Sequence, residues 1–253
     1  YYDDDTLAAT GVYIAGNQEG LWKEYYESGK LSSEGMYKDG LKYNRWKSYH
    51  PNGQVYMEGE FYDGLEQGLW KTYHENGKLR FEGAYMMGQE VGLWKEYYPN
   101  GRVAAEGNYA LGLEDGLWRN YWDNGVLMSE ETYSKGRLME VGEVFSYAGK
   151  KMLKGTFKAG EGQLKSYHAN GKLAAVGGFK NGYPDGVWKY FYDSGILSGE
   201  GSMTLGQREG PWKYYDSAGL IEAEGNYSQD ELQGLWKFYI GGVWDRTEDF
   251  GNE

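Results

Sequence analysis

The sequence predicts an all-β protein: an elongated, single antiparallel β-meander of about ten tandem two-stranded hairpin units. Three observations predict it. First, Trp22, Trp46, Trp70, Trp94 and Trp118 stand 24 residues apart, and so do Trp188, Trp212 and Trp236. Second, an aromatic follows each by three residues, at Tyr25, Tyr49, Tyr73, Tyr97, Tyr121, Phe191, Tyr215 and Tyr239. Third, Asn-Gly or Ser-Gly recurs in the same slot, from Ser28-Gly29 and Asn52-Gly53 to Asn170-Gly171 and Ser194-Gly195. A period of roughly 20–50 residues marks one supersecondary unit stacked on its neighbours.

Leu31 to Asn52 is a representative unit. Leu31–Tyr37 and Arg45–His50 are short, aromatic-rich runs bounded by Gly and Asn, which is the strand signal. Neither is long enough for a helix, and no helix is expected anywhere. Asn52-Gly53 supplies the positive φ of a tight hairpin turn. The other connection is longer and carries two glycines, as in Gly64-Leu-Glu-Gln-Gly68. At ~4.8 Å per strand, about twenty strands would span roughly 90–100 Å.

Alternation along a strand puts Trp46 and His50 on one face and Lys47 and Tyr49 on the other. Either both faces are partly covered, or a bulge beside the glycines redirects one ring. On the partner strand, Val55, Gly59 and Phe61 share a face, as do Leu79, Gly83 and Tyr85. Such a glycine leaves a slot that an aromatic ring from the adjacent strand would fill.

The organisation follows. Residues 1–12 form an N-terminal cap or tail, with Asp3–Asp5 as a frayed end. Residues 13–240 form the array, and residues 241–253 a C-terminal cap or tail. Within the array, 131–164 is irregular: Val144 and Leu164 replace Trp, and the spacings become 26 and 20. Repeat decay and a functional site both remain open there.

Composition bounds the function. The chain has 253 residues with 26 Tyr, 10 Trp and 41 Gly. Mean hydropathy is −0.78. It must therefore bury aromatic rather than aliphatic surface, which an array can do without a deep core. A net charge of −12 disfavours nucleic acid and anionic bilayers and suits a basic partner. Without Cys there is no disulfide framework and no thiolate chemistry. The start without Met fits a removed signal peptide or a trimmed chain, so the compartment stays open between bacterial cytoplasm and export.

Gly68-Leu-Trp70-Lys-Thr-Tyr73, Asn76-Gly77-Lys-Leu79 and Glu82-Gly83-Ala-Tyr85 form the clearest copy of the repeat, and Gly92-Leu-Trp94-Lys-Glu-Tyr97 opens the next. This pattern resembles the bacterial variant of the MORN repeat, and is most similar to YwqK-type antitoxin components. Asn44 departs from it in place of Gly before Trp46, and Glu131 also stands for a Gly. The resemblance covers nearly the whole chain. It implies a non-enzymatic interaction protein of bacterial origin, with toxin neutralisation as its specific form; eukaryotic MORN proteins add links to membranes and scaffolding.

Catalytic signals are absent. His50, His74 and His168 sit where other units hold Tyr26, Tyr98, Trp122 or Tyr192, and so read as packing residues. His50 and His74 are two strands apart, roughly 9–10 Å, too far to share a zinc at ~2 Å per bond. No metal or cofactor site is expected. Glu34, Glu58, Glu82, Glu106, Glu130, Glu200 and Glu224 repeat in one slot, matched by a Lys ladder from Lys23 to Lys237. Cross-strand pairing explains both.

The expected function is protein binding. Candidate contact residues are the acids of the longer connections, Glu66, Glu90, Glu114, Asp115, Asp185, Glu209 and Glu231, which would attract a basic protein. Trp122 and Trp244 lie outside the main ladder and join them. Trp22, Trp46, Trp70, Trp94, Trp118, Trp188, Trp212 and Trp236 are assigned to the repeat structure. Stacking of Trp on cell-wall carbohydrate, or on a membrane surface, is the alternative.

Overall fold

A computed structural model describes residues 1–3 and 6–251; Asp4 and Asp5 of the expected frayed end, and Asn252 and Glu253 of the expected tail, lie outside the described residues. Among these residues there are 21 strands and no helix. The chain divides into two compact units, Tyr1–Gly125 and Val126–Glu253.

The first unit holds β1 (Ala9–Ile14), β2 (Asn17–Tyr25), β3 (Leu31–Lys38), β4 (Leu41–Tyr49) and β5 (Val55–Tyr62). It continues with β6 (Leu65–Tyr73), β7 (Leu79–Met86), β8 (Gln89–Tyr97), β9 (Val103–Ala110) and β10 (Leu113–Tyr121). The second holds β11 (Leu127–Ser134), β12 (Arg137–Phe145), β13 (Lys151–Met152), β14 (Gly162–Tyr167), β15 (Leu173–Lys180) and β16 (Tyr183–Phe191). After these come β17 (Leu197–Thr204), β18 (Gln207–Tyr215), β19 (Ile221–Ser228), β20 (Glu231–Ile240) and β21 (Val243–Asp249). The strands are antiparallel and follow chain order in two open sheets, β1–β13 and β14–β21. The expected meander of hairpins is therefore present, with strand pairing interrupted once, between β13 and β14.

β2, β4, β6, β8, β16, β18 and β20 are each bulged against both neighbours. In β4, Trp46 pairs with Gly35 of β3, but the next pair is Met36 with Tyr43, so Asn44 and Arg45 have no partner on β3. Against β5, Ser48 pairs with Met57 and Tyr49 with Val55, which leaves Tyr56 as the extra residue. The first bulge requires a left-handed residue. Asn44 adopts φ 61° where Gly20, Gly68 and Gly92 adopt 69–71°. Asn is the side chain that tolerates this region best, which explains the one departure from Gly in that slot.

The irregular stretch builds a different core. Leu138, Val141, Val144 and Phe157 form a buried cluster, packed by Tyr133, Met152, Leu164, Tyr167 and Phe179. Val144 and Leu164, the two residues in Trp slots, both belong to it. Residues 153–161 are tied by single bridges, Gly155 to Leu164 and Lys158 to Glu161. Backbone bonds from Gly160 to Met139 O (2.8 Å) and from Leu138 to Gly182 O (3.2 Å) complete the stitching. Aliphatic packing here replaces the indole that the sequence lacks.

The terminal segments contain strands. β1 pairs with β2, and Tyr2 donates its hydroxyl to Tyr25 O at 2.6 Å. β21 pairs with β20.

Candidate interaction surface

One face of the sheet is a file of aromatic rings seated on glycines. Trp46 stands opposite Gly35 on one neighbour and Gly59 on the other. Its ring lies over Gly35, where an added Cβ would meet Cδ2 at 2.1 Å. The same holds for Trp70 over Gly59 and Trp212 over Gly201, at 2.1 and 2.2 Å. No other residue type leaves room for the indole. Each indole N–H then donates to the carbonyl after that glycine: Trp46 to Met36 O at 2.9 Å, Trp212 to Ser202 O at 3.0 Å. Partners on adjacent strands thus satisfy the polar edge of a buried ring. The ring faces are T-packed in sequence, Tyr37–Trp46–Phe61–Trp70–Tyr85–Trp94–Tyr109–Trp118, at 4.9–6.1 Å. In the second unit T-shaped contacts persist, as between Tyr227 and both Trp212 and Trp236, and Trp188, Tyr190, Trp212, Tyr214 and Trp236 add a stacked file at 5.9–6.2 Å.

The opposite face is a charged ladder. Glu58 stands opposite Lys47 and Lys71. Its carboxylate accepts from Tyr73 at 2.6 Å and lies 3.3 Å from Lys47 Nζ. Equivalent bonds join Tyr49 to Glu34, Tyr97 to Glu82 and Tyr239 to Glu224. Hydrogen bonding from Tyr73, helped by Lys47 and Lys71 against burial, holds Glu58 below the usual carboxylate range. Burial and the bond to Glu58 push the Tyr73 phenol up to about 12. Both faces therefore carry aromatics, and the bulges set which ring goes where. These half-exposed ion pairs contribute a few tenths of a kcal/mol each.

The histidines are links between repeats. His50 Nε2 is 2.9 Å from Tyr73 O, and His74 Nε2 is 2.8 Å from Tyr97 O. Tyr98 makes the same bond to Tyr121 O, and Tyr192 to Tyr215 O. His and Tyr are interchangeable there because each places one polar ring atom at the same reach. No group of residues able to hold a metal occurs among the described residues.

The candidate contact residues fall into different environments. Glu66, Glu90 and Glu114 are half-buried, each paired across its hairpin with a ring of the Trp face: Phe61, Tyr85 and Tyr109. Burial, with Glu90 next, pushes the Tyr85 phenol up to about 12. Glu209 accepts the backbone N–H of Gln229 at 3.1 Å, so it braces the next turn. Asp115 and Glu231 are exposed, and Asp185 is half-buried. Trp122 is half-buried, and Trp244 is 60% exposed on β21. Of the ladder, Trp22, Trp46, Trp70, Trp212 and Trp236 are buried, while Trp94, Trp118 and Trp188 are half-buried.

Two shallow grooves open on the Trp face of the first unit. One, about 170 Å³, is lined by Glu66, Trp70, Thr72, Phe81, Tyr85 and Trp94. The other, about 250 Å³, shares Phe81 and Trp94 and adds Glu90, Glu96, Tyr109 and Trp118. Sequence reasoning named Glu66 and Glu90 but missed Thr72, Phe81 and Glu96. The visible signal was the slot two residues after Trp, which varies while its neighbours repeat.

Seven stretches match the MORN repeat variant: 18–39, 42–63, 66–86, 90–110, 114–135, 160–181 and 184–204, more than half of the chain. The chain belongs to the MORN repeat variant family. Each match covers one pair of strands joined by a short turn, and none covers 136–159, where the MORN pattern yields to the aliphatic cluster. No curated protein matches the chain. Among solved structures, a Photorhabdus luminescens Tc holotoxin pore is 14% identical over 96% of this chain and 14% of that one, with a TM-score of 0.20. A TcdB2-TccC3-Cdc42 structure is 12% identical over 91% of this chain and 14% of that one, with a TM-score of 0.14. The chain spans about one seventh of the length of these relatives, and scores this low describe no shared fold.

Proposed function

We propose that this MORN repeat variant chain is a non-enzymatic scaffold that binds another protein. One observation carries the reading: the reactive side chains are consumed by architecture. Glu58, Tyr73 and Lys47 bond to one another, His50 and His74 bond to neighbouring carbonyls, and the same bonds recur down the array. Catalytic pairs are singular and asymmetric, whereas these are repeated. What varies from unit to unit is the segment expected as a longer connection, which is the first part of each Trp strand after a two-residue turn, with its acids Glu66, Glu90, Glu114, Asp115, Asp185 and Glu231.

A basic protein partner follows from those acids and the net charge of −12. Toxin neutralisation is the specific form of this reading, and the acidic charge, which suits a basic toxin, is what supports it. The experiment is affinity capture on the immobilised chain at low and moderate salt, read by mass spectrometry, against the variant Asp115→Lys/Asp185→Lys/Glu231→Lys. A single basic protein, retained at low salt and lost from the variant, is the expected outcome. Equal retention by both chains, or no retained protein, would overturn it.

A further inference from the structure

The Trp face repeats one small site, and the chain fills it differently in different units. In β4, Lys42 Nζ sits 4.4 Å from the Trp46 ring and 5.2 Å from the Phe61 ring. In β18, the equivalent Arg208 places its guanidinium 4.0 Å over the Tyr227 ring. In these two units the slot four residues before Trp holds a cation over aromatic faces, a favourable contact where water is partly excluded. One, two and three repeats after Lys42, the same slot holds Glu66, Glu90 and Glu114, and the first two line grooves. The rings are retained: Trp70 and Tyr85 beside Glu66, Trp94 and Tyr109 beside Glu90. A carboxylate stands where Lys42 and Arg208 supply a cation, and it lines a groove at each of the two positions, whereas the groove at Arg208 is lined by the cation.

Two further features complete the site. Thr72 Oγ1, in the groove beside Glu66, is buried and has no hydrogen-bond partner among the described residues. Rotation of its side chain toward the groove would let it accept from an ammonium. Glu96 adds a second carboxylate to the groove beside Glu90; Lys95 also lines it, with its Nζ held 3.2 Å from Glu106. Rings, carboxylates and an orphaned acceptor converge on one ligand chemistry, a primary ammonium on an alkyl stem.

We infer that the grooves at Glu66 and Glu90 bind two lysine side chains of one extended segment of a partner protein. Spacing selects the segment. The two sites are one repeat, hence two strands, apart, or ~9.6 Å. A polyproline II chain returns to the same face every three residues, at ~3.1 Å per residue, or ~9.3 Å. A Lys-x-x-Lys segment in that conformation therefore presents both ammoniums in register, and aromatic-lined grooves suit its preformed backbone. This names the partner chemistry of the scaffold proposed above and rests on that reading.

The test is calorimetric titration of the full chain with the peptide Lys-Pro-Pro repeated three times. The expected result is saturable binding that weakens at least tenfold when norleucine replaces each Lys. Glu66→Gln/Glu90→Gln should weaken binding at least tenfold, and Glu66→Lys/Glu90→Lys should abolish it by restoring the internal cations. Both variants change half-exposed side chains, and matching circular dichroism checks that the fold is retained. Lys42→Glu should gain a site and bind a longer peptide of the same repeat more tightly. Binding unchanged in the Gln variant would overturn the inference. So would equal affinity for a peptide with Lys at every second residue, or spermidine binding as tightly as the peptide. The capture experiment separates the two claims. A partner retained equally by wild type and the Gln variant overturns these grooves and keeps the scaffold; peptide binding with no captured partner does the reverse.

Discussion

Replacing Gly201 with Ala should cost about 2–4 kcal/mol, although Gly→Ala at an ordinary strand position of compatible φ stabilises by ~0.4–1 kcal/mol. The new Cβ would lie 2.2 Å from Trp212 Cδ2 and 2.4 Å from Cε2 and Cγ. Carbon contacts relax near ~3.5–4.0 Å, so the ring must retreat by roughly 1.5 Å. It has little room to do so. Trp212 is 2% exposed, with Tyr190, Tyr214 and Tyr227 at 6.0–6.2 Å. Overpacking of this kind costs ~1–3 kcal/mol. A ring that moves also gives up its bond to Ser202 O, worth ~1 kcal/mol. Urea unfolding read by far-ultraviolet circular dichroism measures the loss. The decisive comparison is the same substitution in a Trp212→Ala background, where the clash is gone and Ala should be neutral or stabilising. An equal cost in both backgrounds, or an unchanged midpoint in the wild-type background, would refute the seat-and-ring account.

Asn44→Gly should raise the melting temperature slightly, because Gly carries no penalty at φ 61°, whereas Asn44→Val should lower it by ~1–2 kcal/mol of stability. His50→Tyr should be close to neutral and His50→Ala should cost ~1 kcal/mol in a urea melt, because only the alanine removes the bond to Tyr73 O. At high pH, Tyr49, Tyr73 and Tyr97 stay protonated to about 12 when folded. Unfolded, they ionise near ~10, so their contribution is complete below that and disappears as pH rises through 12. An ultraviolet phenolate titration should show this group ionising late, and a single transition near pH 10 would count against it. At low pH, Glu34, Glu58 and Glu224 are depressed first of all by their tyrosine bonds, so stability should be full above the unfolded carboxylate pKa and fall below it. Melting temperature against pH checks the sign, and Tyr73→Phe should flatten the slope.

The period, the hairpins and the Gly slot under each Trp were legible because each is a local spacing repeated many times. Ring direction was not. Trp46 and Tyr49 are three apart, and alternation alone cannot say that Asn44–Arg45 and Tyr56 are extra residues in the ladder. The bond from Tyr73 to Glu58 also escaped, because it runs diagonally between the paired strands β5 and β6, where Glu58 stands opposite Lys71. Phe157 was overlooked although Gly155-Thr-Phe157 keeps the Gly-x-Tyr slot 24 residues after Tyr133; with no Trp beside it, only folding shows that it packs against Val141 and Val144. At the grooves, the acids of Glu66 and Glu90 were read as loop charge. Their meaning depends on Lys42 and Arg208, whose positions over rings only the structure displays.

The bonds that hold the array run over constant chain distances. An indole reaches the carbonyl ten residues back, as from Trp46 to Met36; a phenol reaches the carboxylate fifteen back, as from Tyr73 to Glu58; a His or Tyr reaches the carbonyl 23 ahead, as from His50 to Tyr73. Cut out one 24-residue block between matching positions and every severed bond finds an equivalent partner across the splice. Cut out 20 or 26 and none does. The gene for such a protein can therefore gain or lose whole repeats by recombination without passing through an unfolded intermediate sequence, so the length of the array can evolve in discrete steps. The stretch where the spacing runs 26 and then 20 has lost that count, and had to supply its own core around Phe157.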